Sequence, residues 1–188
     1  MKGRIFISGE KSGGWIIPLL FTELAGIAAG SFAAVFFADS EILQKYICPE
    51  VFGGTLFQII FGTSVTCLMY LVVSFLLGLF LLGQGGGIAF LAGLGAEIGC
   101  TAALMYFERG AGAIMWVLLL YLPKTAALSA IGILSAREVI RNSTALLKST
   151  ISSEEAPSLK KYCLRFIFLA AGVIIVSVIY GIANYFVC

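Results

Sequence analysis

Three charged residues interrupt the apolar stretches of this 188-residue sequence and are its strongest candidates for chemistry. Glu23, Glu97 and Lys124 each lie among residues that are almost all apolar. A charge at membrane depth is costly, so such residues normally face the protein interior or a water-filled cavity. Glu97 and Lys124 fall near the middle of two successive apolar runs, and we expect them to form an ion pair. Glu23 either joins this pair as a third member or reaches interfacial water.

The predicted pair has two interpretations. It can form a site for a proton, an ion or a polar substrate, or it can be a structural pair that locks two helices together. The structural interpretation is the simpler one, because a neutralised pair leaves no obvious vacancy for a substrate. Pro123 lacks a backbone N–H, so it predicts a kink beside Lys124, whose side chain can help to satisfy a freed carbonyl.

Glycine spacing predicts where helices approach each other closely. Gly26 with Gly30, and Gly95 with Gly99, have the G-x-x-x-G spacing that places two glycines on one helix face. Packing within the chain is the plain explanation, and packing against a second subunit is the alternative. The stretch GQGGG at 83–87 predicts a tight turn, because neither G-K-[ST] nor G-x-G-x-x-G is present to form a phosphate loop.

Other residue types exclude several kinds of site. The sequence has no histidine, and its five cysteines contain no C-x-x-C motif, so we expect no metal site and no cofactor. Cys48 and Cys188 can form a disulfide only if both lie outside the cell. No paired-carboxylate motif on one helix and no G-x-S-x-G is present, so we expect a protein that is not an enzyme and does not bind nucleic acid.

The elements that position these residues are membrane-spanning helices. The chain is 60% apolar and 12% charged, with a mean hydropathy of +1.04, whereas soluble domains are about 45–50% apolar and about 25% charged. A spanning helix needs about 20 apolar residues. We therefore predict one all-α domain over 1–188, with spans at about 15–37, 63–82, 88–107, 113–135 and 162–185. Residues 52–61 would lie at the surface or re-enter, and residues 136–161 would form a cytoplasmic linker, whose start could continue the fourth helix into water.

The positions of lysine and arginine predict the orientation. With the N-terminus in the cytoplasm, nine basic residues lie inside and two outside. Cytoplasmic segments carry this excess in most membrane proteins. The predicted topology is a five-helix bundle in the bacterial cytoplasmic membrane, with the N-terminus inside and the C-terminus outside.

Four stretches together resemble the stage II sporulation protein M family, small five-helix membrane proteins of sporulating bacteria and their relatives. They are residues 76–87, 93–114, 118–143 and 159–186, and their order and spacing carry the resemblance. It implies a non-catalytic scaffold in the mother-cell membrane, which anchors membrane-bound peptidoglycan hydrolases during engulfment. Family members often have proline where this chain has GQGGG, and glutamine or histidine at the place of Lys124.

Two functions follow from these observations. The resemblance and the glycine faces favour a scaffold for cell-wall remodelling partners, which could itself form an oligomer. Glu97, Lys124 and the adjacent proline favour the alternative, a small transporter or a membrane subunit of a transporter, with a substrate site at mid-membrane depth.

Overall fold

The computed structural model describes residues 15–37, 56–81, 83–152 and 158–187. These residues form five helices that are long and apolar enough to cross a membrane. They are α1 (Ile16–Phe37), α2 (Leu56–Leu77), α3 (Gly83–Arg109), α4, and α5 (Leu159–Val187). The helix α4 has three consecutive segments, which are Gly112–Trp116, a π-helical turn at Val117–Tyr121, and Leu122–Ser152. The all-α fold with five candidate spans is confirmed, and the chain is a multi-span helical membrane protein. Cys48 and Cys188, the predicted disulfide partners, lie outside the described residues.

The helices α1 and α2 match the thickness of a bilayer, α3 and α5 are somewhat longer, and α4 is much longer. The 22 residues of α1 extend about 33 Å at 1.5 Å per residue, close to the roughly 30 Å hydrocarbon core. Within lipid such a helix satisfies its own backbone hydrogen bonds, which explains why each apolar run is helical. The continuous helix from Gly112 to Ile151 has 40 residues, or about 60 Å. One end of α4 must therefore project beyond the hydrocarbon core.

The C-terminal part of α4 occupies the start of the predicted linker at 136–161. The helix continues to Ser152, and Ala136, Val139, Ile140 and Ser143 are buried in the bundle. Their spacing of i, i+3, i+4 and i+7 is that of one helix face. This face packs against the ends of α2 and α3, and so the first third of the predicted linker is a buried part of the fold.

The predicted start of the second helix and the predicted turn at 83–87 were both wrong. The second helix begins at Leu56, so residues 56–61 belong to it and do not form a separate surface segment, while residues 52–55 lie outside the described residues. The GQGGG stretch is the first turn of α3 and not a turn between helices. The reversal occurs at residues 78–81, named here the exit turn of α2. Glycine is needed at Gly83 because a Cβ there would overlap the Leu77 carbonyl oxygen, and a Cβ on Gly87 would crowd the Val139 side chain.

The bundle consists of two helix pairs joined by α4. Helix α1 packs mainly on α3, and α2 packs mainly on α5, while α4 contacts both pairs. One buried apolar cluster contains Leu71, Val139, Tyr162, Phe166 and Val173. A second contains Leu19, Leu91, Ala136 and Ile140. Because α4 contributes to both clusters, it holds the two pairs together.

The four predicted packing glycines lie at the crossing of α1 and α3. A Cβ on Gly30 would lie 1.9 Å from the carbonyl oxygen of Ala96, and Gly26 has the same relation to Ala92 at 2.3 Å. Gly95 and Gly99 face the backbone of α1 in the same way. The two helices therefore meet backbone to backbone, as small residues permit in membranes. These glycine faces are occupied within the chain, and association with a second subunit through another surface stays a prediction.

Candidate functional site

A cavity of about 100 Å³ lies between α2, α3, α4 and α5, and is named here the central cavity. It is the place where the structure brings Glu97 and Lys124 together. Its apolar walls include Leu71, Leu94 and Val173. Its polar lining comprises Thr63, Thr66, Cys67 and Tyr70 from α2, Glu97 from α3, and Tyr121, Lys124, Thr125 and Ser135 from α4.

Glu97 is positioned by a tyrosine of the neighbouring helix. The Tyr70 hydroxyl donates a hydrogen bond to the Glu97 carboxylate. The Tyr70 ring packs edge-on against Phe90, at 5.7 Å between ring centroids. Since this contact restrains the ring, the phenol and the carboxylate form a fixed polar unit on one wall. Charge-assisted hydrogen bonds of this kind are stronger than those between neutral groups.

Lys124 lies on another wall and faces an aromatic ring. Its Nζ atom is 4.2 Å from the centroid of the Tyr180 ring on α5. An ammonium group at this distance is attracted to the negative face of the ring. The structure thus places Glu97 and Lys124 in one cavity, each with an aromatic neighbour, and a direct ion pair between them stays a prediction.

The helix carrying Lys124 is irregular just before it. The π-helical turn Val117–Tyr121 ends two residues before Pro123. Such single π turns occur mostly inside α-helices, and frequently at functional sites. Beside the proline, the Thr125 hydroxyl donates to the Tyr121 and Leu122 carbonyls at 3.0 and 3.1 Å. The Lys124 ammonium group lies over the Tyr180 ring, and its contact with a carbonyl freed by the proline stays a prediction.

Glu23 does not line the central cavity. Its side chain is only 3% exposed, so it lies within the bundle and not at a water-exposed surface. Its side chain lies within hydrogen-bonding reach of the Ser129 hydroxyl on α4. Among the described residues, no hydrogen-bond donor reaches its Oε1 atom. The structure therefore does not bring Glu23 to Glu97 and Lys124 as a third member of the cavity lining.

Two polar side chains of α4 form hydrogen bonds to the exit turn of α2. The sequence did not predict this cluster. Asn142 donates to the Gly78 carbonyl at 2.9 Å, and Ser143 donates to the Phe80 and Leu81 carbonyls at 3.0 and 2.8 Å. The last carbonyls of a helix have no partner within the helix. Here side chains of α4 supply the missing donors. The signal in the sequence is the Asn-Ser pair, which follows two buried apolar residues at helical spacing.

The cavity residues from α2 were also missed. Tyr70, Thr66 and Thr63 have spacings of three and four residues, so they form one polar stripe on a mainly apolar helix. That stripe faces the central cavity.

The described residues contain no group of three or more Cys, Asp or Glu side chains that could hold a metal ion. The arrangement offers both charge signs and several hydroxyls, which suits a small polar solute or an ion.

Comparison with known proteins gives no match to any family model, curated protein or solved structure.

Proposed function

We propose that this membrane protein is a small transporter, or a membrane subunit of a transporter, that binds an ion or a small polar solute in the central cavity. One observation carries the proposal. Glu97 and Lys124, which come from different helices, line the same cavity inside a bundle with an apolar exterior. Ionisable residues inside membrane segments mark ion and substrate pathways in many transport proteins.

The size of the central cavity limits what it can bind. Its volume of about 100 Å³ is well below the roughly 300–1,000 Å³ of pockets for drug-sized ligands. A solute of a few heavy atoms or an ion with part of its hydration shell fits this space. The carboxylate of Glu97 suits a cationic group, and the ammonium of Lys124 suits an anionic one. The π-helical turn beside Lys124 supplies an irregular segment of the kind that lines transport sites.

Transport can be tested in proteoliposomes by recording charge movement on a supported membrane. The probes are steps of sodium, potassium and pH, and addition of glycine as a small zwitterion. We expect a transient current with at least one probe, and its loss in Glu97→Gln and in Lys124→Met. Lys148→Met is the matched control, because it removes a lysine whose side chain is exposed and outside the cavity. No current with any probe, or equal currents in all variants, would reject a transport role.

The second proposal is a non-catalytic membrane scaffold that anchors peptidoglycan-remodelling partners. The resemblance of four stretches to the stage II sporulation protein M family supports it. So does the outer face of α1, where Phe21, Phe32 and Phe36 are exposed and can contact either lipid or a partner helix. Among the described helices, α1 packs mainly on α3 and makes a smaller contact with α4.

The scaffold is tested by recovering partners from membranes of the native host. Cross-linking before purification in mild detergent should recover membrane-anchored cell-wall hydrolases. A variant with Phe21, Phe32 and Phe36 replaced by leucine keeps the face apolar but changes its shape, and should recover less of these partners. Recovery of the chain alone, with no cell-wall protein, would rule against the scaffold whatever the result of the transport assay.

A further inference from the structure

A second cavity, of about 240 Å³, lies between α4 and α5 near the exit turn of α2, and is named here the basal cavity. It shares no residue with the central cavity. Its lining contains three cationic side chains and one carboxylate. The lining residues are Glu138, Arg141, Asn142 and Ala145 from α4, and Ser158, Lys161, Tyr162 and Arg165 at the start of α5.

The donors of the basal cavity are arranged toward an anion. Glu138 forms an ion pair with Arg165 and a longer one, at 4.0 Å, with Arg141. The two guanidinium groups contact different oxygens of the carboxylate, and each has further N–H groups that these contacts do not use. Lys161 adds a third cation, so the charged side chains of the lining sum to +2. Planar guanidinium groups match the oxygens of phosphate particularly well.

The apolar surface above the cavity indicates that the anion belongs to a lipid. Toward the middle of the spans, one helical turn from Glu138 and Arg165, lie Leu134 on α4 and Phe168 on α5. Both side chains are exposed, at 43% and 70%. A free phosphate makes no favourable contact with an apolar surface, whereas an acyl chain would cover it. The basal cavity also lies at the end of the bundle that the lysine and arginine bias assigns to the cytoplasm.

We propose that the basal cavity binds the phosphate headgroup of an anionic phospholipid, with its acyl chains against Leu134 and Phe168. Basic pockets between spanning helices on the cytoplasmic side bind such headgroups in other membrane proteins. This site is independent of transport or scaffolding, because none of its residues lines the central cavity or belongs to α1.

The test measures lipid binding to the detergent-purified chain by native mass spectrometry. Phosphatidylglycerol is titrated against phosphatidylcholine with the same acyl chains, and inorganic phosphate is added as a competitor. Each basic residue near an anionic surface contributes about 1 kcal/mol, so Arg141→Gln with Lys161→Gln should weaken phosphatidylglycerol binding about 30-fold. The matched control, Lys148→Gln with Lys160→Gln, removes two exposed charges outside the cavity and should keep the preference.

Three results would overturn the proposal. One is an equal loss in the test and control variants, since general surface charge would then explain the binding. Another is unchanged binding in the test variant. The third is displacement of phosphatidylglycerol by inorganic phosphate at equal concentration, which would make free phosphate the ligand. If the double variant unfolds, Arg141→Gln alone serves, because this side chain is 63% exposed and its loss leaves the Glu138–Arg165 pair intact.

Discussion

Adding one methyl group at Gly30 should separate α1 from α3. The new Cβ would lie 1.9 Å from the Ala96 carbonyl oxygen and 2.6 Å from the Ala96 Cα. Close carbon–oxygen contacts in proteins are about 3.3–3.6 Å, so the backbones must move apart by about 1.4 Å or more. Both obstructing atoms belong to a helix backbone and cannot turn aside. The whole crossing, with its other three glycines, therefore loses its packing.

The size of this effect follows from two opposed contributions. Overpacking costs about 1–3 kcal/mol in ordinary cores, and the rigid backbone contact puts Gly30→Ala at the upper end. Alanine is favoured over glycine in a helix by about 1 kcal/mol, which offsets part of this cost. Gly93→Ala is the matched control, because a Cβ there meets no atom within 4 Å. We expect the free energy of unfolding to fall by about 2 kcal/mol for Gly30→Ala, and to stay equal or rise for Gly93→Ala.

The assay is thermal unfolding in mild detergent, followed by tryptophan fluorescence. A loss of about 2 kcal/mol corresponds to a Tm lower by about 4–8 °C for a protein of this size. Equal Tm values for Gly30→Ala and the unmodified chain would refute the backbone contact at the crossing. An equal decrease in Gly93→Ala would show that glycine flexibility matters and not close approach.

Three further predictions concern the exit turn and the central cavity. Asn142→Ala leaves the buried Gly78 carbonyl without its donor, so the same unfolding assay should show a loss of about 1–3 kcal/mol; an unchanged Tm would contradict the hydrogen bond. In chains that retain a single cysteine, a small water-soluble thiol reagent should modify Cys67, which lines the cavity, much faster than the buried Cys100; equal rates would mean that water does not enter. Tyr70→Phe keeps the ring but removes the hydroxyl that orients the cavity carboxylate, so any transport current should fall; a normal current would show that the Tyr70 hydroxyl has no part in transport.

The number of helices and the close-packing faces of α1 and α3 could be predicted from the sequence because both depend on local patterns. Apolar runs of spanning length predict the helices, and four-residue glycine spacing predicts which faces approach closely. The error at 83–87 arose because glycine permits both turns and close contacts, and only the position of Leu77 and Val139 decides between them. That position depends on α2 and α4, which are distant in sequence.

The charged residues of the central cavity could be predicted from the sequence, but their neighbours could not. Charged residues in apolar runs are conspicuous, so Glu97 and Lys124 were identified. Tyr70 was not, because tyrosine is common in membrane helices and becomes informative only when a carboxylate lies within reach of its hydroxyl. Glu23 was grouped with them by charge alone, yet α1 packs on the opposite side of α3 from the cavity, as the contacts of Gly95 with α1 show.

The exit turn of α2 has a consequence for the order in which the chain assembles during synthesis. The hydrogen-bond donor of the Gly78 carbonyl is Asn142, which is synthesised 64 residues later. The donor of the nearby Phe75 carbonyl is the Tyr162 hydroxyl, 87 residues later. At about 5–20 residues per second on the ribosome, these delays last about 3–17 seconds. Throughout that interval the nascent hairpin of α2 and α3 must keep its turn hydrated at the membrane surface. The bundle therefore closes only when its last helix emerges, and a chain stopped before α5 is an incomplete insertion intermediate.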